Sequence, residues 1–210
     1  MKGKSELLLD MNNLPEHVVI IMDGNGRWAK KKQLDRISAH KEGKQSVKSG
    51  MKAATELGIK NITLYAFSAQ NWQRPKGEVD ALMELLKQYL MSESGRLLEN
   101  GVRLNAIGRL KELPEDVYRV LSQTMNMTME CKEITLTLAL SYGGREEIID
   151  AVKRIVSDND IGADDITEER FSDYLYTNDI PEPDLLIRTS GEMRLSNFML
   201  WQLAYTEIYV

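Results

Sequence analysis

Asp23-Gly24-Asn25-Gly26-Arg27-Trp28 follows directly on the apolar run Ile20-Ile21-Met22, and these residue types in this order suit the handling of a phosphate ester. A carboxylate at the end of a buried strand can hold a divalent cation against an anionic substrate. The two glycines let backbone N–H groups approach a ligand closely, and the Arg27 guanidinium is a planar cationic fork. Further along, Ser68-Ala69-Gln70-Asn71-Trp72-Gln73-Arg74-Pro75 packs a hydroxyl, amides, an indole and a guanidinium into one short stretch. Arg188, Arg194 and Ser196 lie around Gly191, and two arginines with a hydroxyl can bind a diphosphate bidentately without a lysine.

Other chemistries match these residues less well. Gly24-x-Gly26-x-x-Ala29 has the outline of a dinucleotide fingerprint. The ribose-binding acid that should end the second strand is absent from Phe67-Ser68-Ala69-Gln70, and Trp28 would crowd the helix start. An aspartate-nucleophile phosphatase wants a second acid two residues after Asp23, where Asn25 stands. Asp164-Asp165-Ile166-Thr167-Glu168 looks like the aspartate-rich motif of all-helical prenyltransferases, but it occurs once. Thr167 as an N-cap, with Glu168 and Glu169 in the first turn, accounts for it. Plainer readings stay open elsewhere: His40 as a surface helix residue, Glu207 as a strand-end acid, and Ser68–Arg74 as a polar turn set by Pro75 and Gly77. The alternation of Met125, Met127 and Met129 reads as adaptable core or tunnel filling.

The elements that must position these groups alternate. Strand patterns cover His17–Met22, Asn61–Phe67, Val102–Ile107, Ile134–Leu140, Asp184–Arg188 and Glu207–Val210. Helical patterns run between them over Ser38–Leu57, Val79–Leu98, from Pro114 onward, over Arg145–Val156, after Thr167 and over Ser196–Ala204. Such alternation predicts an α/β fold, a single domain with a mainly parallel central sheet and helices on both faces. Ligands bind such sheets beyond the carboxyl ends of the strands. Four polar loops fall there, each with an arginine: 23–28, 68–74, 142–145 and 189–196.

The 210 residues suit one domain, and the 42% hydrophobic and 28% charged fractions are ordinary for a globular chain. One cysteine, Cys131, excludes an internal disulfide. No apolar run approaches the roughly 18 residues that a membrane span needs, and the expectation is a cytoplasmic protein. The net charge of −5 conceals an asymmetry. Six basic residues against one acid occupy Arg27–Lys41, while nine acids against one base occupy Asp158–Glu182. A basic block beside a phosphate-like loop funnels an anion toward it. Basic and aromatic residues do not recur together elsewhere, so no nucleic-acid partner is expected.

With these stretches in hand, the chain resembles the cis-prenyltransferases, the undecaprenyl diphosphate synthase family of isoprenyl transferases. The resemblance rests on His17–Ala29 (HVVIIMDGNGRWA), Tyr65–Pro75 (YAFSAQNWQRP), Tyr142–Arg145 (YGGR), Asp184–Phe198 (DLLIRTSGEMRLSNF) and Trp201–Glu207 (WQLAYTE), which occur in the family's order. It implies an undecaprenyl diphosphate synthase-like fold with an apolar tunnel under the sheet. Residues 1–16 would be an N-terminal segment and 17–210 the catalytic domain. Relatives continue past the position of Val210 through an aromatic-rich segment and an arginine-glycine tail, so the last part of the family domain is expected to be missing here.

The implied activity is condensation of isopentenyl diphosphate onto an allylic diphosphate, farnesyl by expectation. The product would be a cis-polyprenyl diphosphate for a cell-wall lipid carrier. A short-product or non-catalytic family subunit is the alternative. The resemblance also implies Mg²⁺, a homodimer, and product handed over at the membrane surface, with peripheral attachment at its inner face and no transmembrane segment. Asp23 matches the catalytic aspartate and Asn71 the residue that assists proton removal. Gly24, Asn25, Gly26 and Arg27 match the diphosphate loop, and Trp28, Arg36 and His40 further substrate contacts. Ser68, Ala69, Gln70, Trp72 and Arg74 flank Asn71 in a substrate-binding loop. Arg188, Arg194, Leu195 and Ser196 match the isopentenyl diphosphate site. Glu207 matches a metal ligand, with Asp23, from across the dimer. Gln70 departs from the pattern: the family usually has an acid there, which would weaken proton handling or a contact in that loop.

Overall fold

Six parallel strands lie in the order β3-β4-β2-β1-β5-β6, in a computed structural model that describes residues 10–22 and 36–210 and gives only the backbone of 36–46. The strands are β1 (His17–Ile21), β2 (Asn61–Ser68), β3 (Val102–Ile107), β4 (Ile134–Tyr142), β5 (Leu185–Arg188) and β6 (Glu207–Tyr209). Between them run α1 (Arg36–Leu57), α2 (Lys76–Glu99), α3 (Glu115–Thr128), α4 (Gly144–Ser157) and the short α5 (Glu168–Ser172). The chain forms one domain, as the alternation of patterns predicts.

Side chains alternate across the sheet with period two. Val18, Ile62, Leu64, Val102, Leu104, Leu136, Leu138 and Leu140 pack on one face against Ala54 of α1, Met83 and Leu90 of α2 and Leu121 of α3. Val19, Ile21, Ala139 and Leu186 pack on the other face against Phe198, Met199 and Leu203. Behind that layer, Ala151 and Ile155 of α4 meet Phe171 and Leu175. Burying one such side chain contributes about 1.5–3 kcal/mol, so the alternation fixes the register of β1 to β5 but not of β6, which is exposed throughout.

Helix ends follow local chemistry. Gly58, at φ +77°, closes α1: its N–H reaches Thr55 O at 3.1 Å and the next N–H reaches Ala54 O at 3.0 Å. Thr167 Oγ1 accepts from Arg170 N at 3.1 Å, so the acidic stretch at 164–168 is a cap, as expected. Two expectations fail. No helix forms over Ser196–Ala204; Ser196, Asn197 and Met199 adopt φ of 52°, 63° and 42°, and the segment is a run of turns. Left-handed backbone at three of four successive residues cannot carry i to i−4 hydrogen bonds. The methionine alternation is not one packed row either. Met125 packs on the core, whereas Met127 and Met129 are exposed, because residues two apart on a helix point in different directions.

Candidate active site

Parallel strands put their carboxyl ends on one edge, so the loops after β4, β2, β1 and β5 become neighbours there in that order. The chain leaves β1 for β2 on one side and returns to β5 on the other, which makes the end of β1 the switch point where α/β sheets take their ligands. Ile21 of β1 lies beside Arg188 of β5. Asp23, Gly24, Asn25, Gly26, Arg27 and Trp28 lie outside the described residues. Arg36 and His40 fall on α1, where the backbone alone is given.

Arg188 is 4% exposed, and its Nη1 donates to Ser196 Oγ at 2.8 Å and to the Arg194 carbonyl. The left-handed turn at Ser196 folds the loop back over the guanidinium. Arg194 does not join that pair; its side chain is exposed and meets Glu192. Leu195 packs against the Val19–Phe198 cluster. A buried arginine with one exposed arginine six residues on can hold one phosphoryl group firmly while the second closes over it.

After β2, a 3-10 turn spans Ala69–Gln73. Asn71 Oδ1 accepts the Ser68 N–H at 3.1 Å, fixing the loop's entry. Trp72 sits edge-on to Phe67, with centroids 4.9 Å apart, and its Nε1 donates to Ser141 Oγ at 2.8 Å. Asn71 is thus held between a strand end and a clamped indole. Arg74 turns away to Glu78 at 2.9 Å, at the start of α2, and Ala69 contributes backbone alone.

Tyr65 stacks on Phe198 at 4.4 Å, and its hydroxyl donates to the Tyr142 and Ser196 carbonyls at 3.2 and 3.4 Å. Burial pushes its pKa well above the ordinary value, so it stays a neutral donor. Beneath it, the buried Glu147 carboxylate accepts from Tyr142 OH, from Gln202 Nε2 at 3.0 Å and from Tyr176 N at 2.9 Å. Burial raises the Glu147 pKa, and the three donors oppose that rise.

Sequence reasoning missed Glu146 and Asn197. Asn197 Oδ1 accepts from Arg145 N at 2.9 Å, and its carbonyl accepts from Gly144 N at 2.7 Å. Glu146 accepts from Asn197 Nδ2 at 2.8 Å and from Gln70 Nε2 at 3.1 Å. Acids in the first turn of a helix are ordinary, so no local signal marks Glu146. Glu207 lies on the edge strand opposite Leu185, three residues short of Arg188 along β5. Within its own chain that is about 10 Å below the rim.

Under the rim, on the α1–α3 face, Met22, Met51, Leu82, Leu86, Val120 and Met125 are only partly buried. At the opposite edge of the sheet a cavity of about 400 Å³ lies between α1 and α2. Met51, Leu97, Val102 and Leu136 line it together with Lys52, Glu56 and Arg96, and with Lys48 and Glu93, which are 3.0 Å apart. A larger opening of about 730 Å³ lies beyond β3 on the other side, lined by Arg109, Asp150 and Tyr176. Those three bond one another, so it is a charged surface groove.

A buried, hydroxyl-braced arginine at the switch point of a parallel sheet, above partly buried aliphatic side chains, is suited to an anionic group. Residues 21–210 match the family described as "Putative undecaprenyl diphosphate synthase", and the chain belongs to this family of isoprenyl transferases, the cis-prenyltransferases. An isoprenyl transferase of Geobacter sulfurreducens is 52% identical over 201 residues, covering 94% of this chain and 82% of that protein. Among solved structures, lavandulyl diphosphate synthase from Lavandula x intermedia, in complex with dimethylallyl diphosphate, superposes with a TM-score of 0.90 at 40% identity, covering 93% of this chain and 86% of that one. A "probable undecaprenyl diphosphate synthase" from Campylobacter jejuni gives 0.77 at 36%, covering 94% and 85%. Among the described residues, no helix is long and apolar enough to cross a membrane.

Proposed function

We propose that the protein condenses isopentenyl diphosphate onto an allylic diphosphate, farnesyl diphosphate in the first instance, and extends it to a cis-polyprenyl diphosphate of undecaprenyl length for a cell-wall lipid carrier. The observation that carries this reading is the Arg188–Ser196 pair beside the end of β1, over an aliphatic layer with space at its far end. In this reading Arg188, Arg194 and Ser196 bind the isopentenyl diphosphate headgroup, and the loop after β1 binds the allylic diphosphate. Ionising the allylic ester concentrates negative charge on the departing diphosphate, and preorganised N–H groups and guanidinium groups stabilise it as it develops. Asn71, fixed through Ser68, assists loss of the proton from the condensed product. Positioning the isopentenyl double bond against the allylic carbon supplies much of the remaining barrier reduction.

The described residues contain no group of three His, Cys, Asp or Glu that could hold a metal. Mg²⁺ is commonly bound by one or two carboxylates with substrate phosphates and water, and Asp23 with diphosphate oxygens fits that donor set. When bound, Mg²⁺ neutralises charge on the leaving diphosphate. In this reading Glu207, exposed on the edge strand, supplies a metal ligand to the neighbouring molecule of a homodimer. The protein would work in the cytoplasm and release product at the inner membrane surface.

A second reading is a short-product enzyme using a small allylic diphosphate, which the likeness to the lavandulyl diphosphate synthase favours. Incubation with Mg²⁺, labelled isopentenyl diphosphate and either farnesyl or dimethylallyl diphosphate, followed by sizing of the products, separates the two. A long ladder primed by farnesyl diphosphate supports the first reading, and a single condensation supports the second. No incorporation from either primer overturns both. Asp23→Ala should abolish turnover and leave the thermal midpoint unchanged.

A further inference from the structure

Gln70 and Asn197, on the loops after β2 and β5, both donate to one carboxylate, that of Glu146. One oxygen of that carboxylate lies 3.1 Å from Gln70 Nε2. Its other oxygen takes Asn197 Nδ2 at 2.8 Å. A Cβ on Gly143 would meet that same oxygen at 2.1 Å, so the carboxylate lies close over a residue that has no side chain. One end of this bridge is the residue before Asn71, and the other is the residue after Ser196. Asn197 is itself locked by Arg145 N and Gly144 N.

We propose that Glu146 is a positioning residue: through Gln70 and Asn197 it clamps the loop after β2 to the loop after β5 and sets the spacing between Asn71 and the Arg188–Ser196 pair. The proposal rests on the activity proposed above, because it concerns the alignment of that reaction. An acid at position 70 would bring two carboxylates within hydrogen-bonding distance, and like charges that close disfavour the arrangement. Gln70 is therefore the fitting partner of Glu146, and an acid introduced at position 70 alone should damage the enzyme.

The test is a swap. In Gln70→Glu the bridge is broken by repulsion, and kcat should fall on the order of tenfold or more, with KM for isopentenyl diphosphate changed much less, as for lost alignment of bound groups. Glu146→Gln should be mild, since the Gln70 amide can rotate to present its oxygen. Gln70→Glu combined with Glu146→Gln rebuilds both hydrogen bonds and should return kcat to within about threefold of the starting enzyme. The thermal midpoint of each variant is read alongside, so a variant too unstable to assay still tests the rescue. A Gln70→Glu enzyme as fast as or faster than the parent, or a double variant no better than Gln70→Glu, overturns the proposal. Amide hydrogen exchange in Glu146→Ala supplies a readout that needs no activity: exchange should quicken in both 69–73 and 195–197. If the unaltered protein incorporates no isopentenyl unit, the functional reading fails, and the exchange experiment alone decides whether the clamp exists. Unchanged exchange in both loops would then dismiss it.

Discussion

The two faces of the sheet are built on different principles. On the α1–α3 face the contacts are mainly aliphatic: Leu64, Leu90, Leu104, Leu121, Leu136 and Leu140 are buried, and a wide border of Met22, Val47, Met51, Leu82 and Leu86 is only partly so. The exceptions are the Phe67–Trp72 pair and the Thr128 hydroxyl that accepts from Leu104 N. On the other face, the aromatic rings of Tyr65, Tyr142 and Phe198 interlock. Buried polar groups cross-link the layers there: His17 with Thr63 and Pro181, Glu147 with Tyr142, Gln202 and Tyr176, and Gln202 with Thr177. Directional bonds in a low dielectric specify one arrangement, and leaving any of them unmade is costly. Dispersion contacts among aliphatic chains tolerate rearrangement. The cross-linked face braces the loops after β4 and β5, and in the proposed function the aliphatic face is the side that takes the apolar chain.

The strongest way to break this contrast is to remove the centre of the polar network. Glu147→Ala strands three buried donors at once. About 3 kcal/mol or more of stability should be lost, lowering the midpoint by roughly 6–12 °C for a chain of this length. A loss below about 1 kcal/mol in denaturant titration would mean that the network adds little to the packing around it.

Overpacking sharpens the comparison next. Ala139 is completely buried on the cross-linked face, and Ala139→Val should cost about 2 kcal/mol, since added methyl groups have nowhere to go. Val102 borders the 400 Å³ cavity. Val102→Phe inserts more atoms, yet should cost less than about 1 kcal/mol and, in the proposed activity, shorten the longest product. Equal penalties at the two sites, or an unchanged product ladder in Val102→Phe, would show that the space is not a guest site.

Much of this was legible beforehand, for a physical reason. Strand and helix patterns are short-range and periodic, and the observed bounds of β3 coincide with those expected, while β1 and β5 differ by one residue. The convergence of the loops also followed from topology, because parallel strands leave no other place for residues 68–74, 142–145 and 189–196. What stayed hidden depended on contacts between distant segments. Nothing near Glu146 announces that it meets Gln70 and Asn197, respectively 76 and 51 positions away. The helix expected over Ser196–Ala204 is a run of turns, because the helix-like spacing of Phe198, Trp201 and Leu203 carries no information on the backbone angles there. Their backbone is instead dictated by what Asn197 must cap on α4. Residue type and resemblance group Arg194 with Arg188, and neither reveals that the fold buries Arg188 and exposes Arg194.

The smallest effect concerns protons, and it separates the faces without altering their volume. His17 Nδ1 donates to the Pro181 carbonyl at 2.7 Å, and Nε2 lies 2.8 Å from the Thr63 hydroxyl, which can donate to a neutral ring or accept from a charged one. Burial lowers its pKa from the ordinary 6.5, more than the Pro181 and Asp184 oxygens raise it. Below about pH 6.5 the unfolded chain therefore binds a proton that the folded chain refuses, and stability falls as pH falls until the native pKa is reached. Glu147 works in the opposite direction: with its folded pKa raised by burial, the native state gains stability on protonation. That term is common to wild type and His17→Gln and cancels in their difference. The wild-type advantage over His17→Gln should shrink between about pH 6.5 and pH 5.5, by at most about 1.4 kcal/mol per pH unit. Leu121→Ala, which removes a fully buried side chain from the aliphatic face, should instead cost the same few kcal/mol, about 2–5, at every pH in that range. A difference for His17→Gln that stayed flat with pH would mean that the fold does not hold the imidazole neutral.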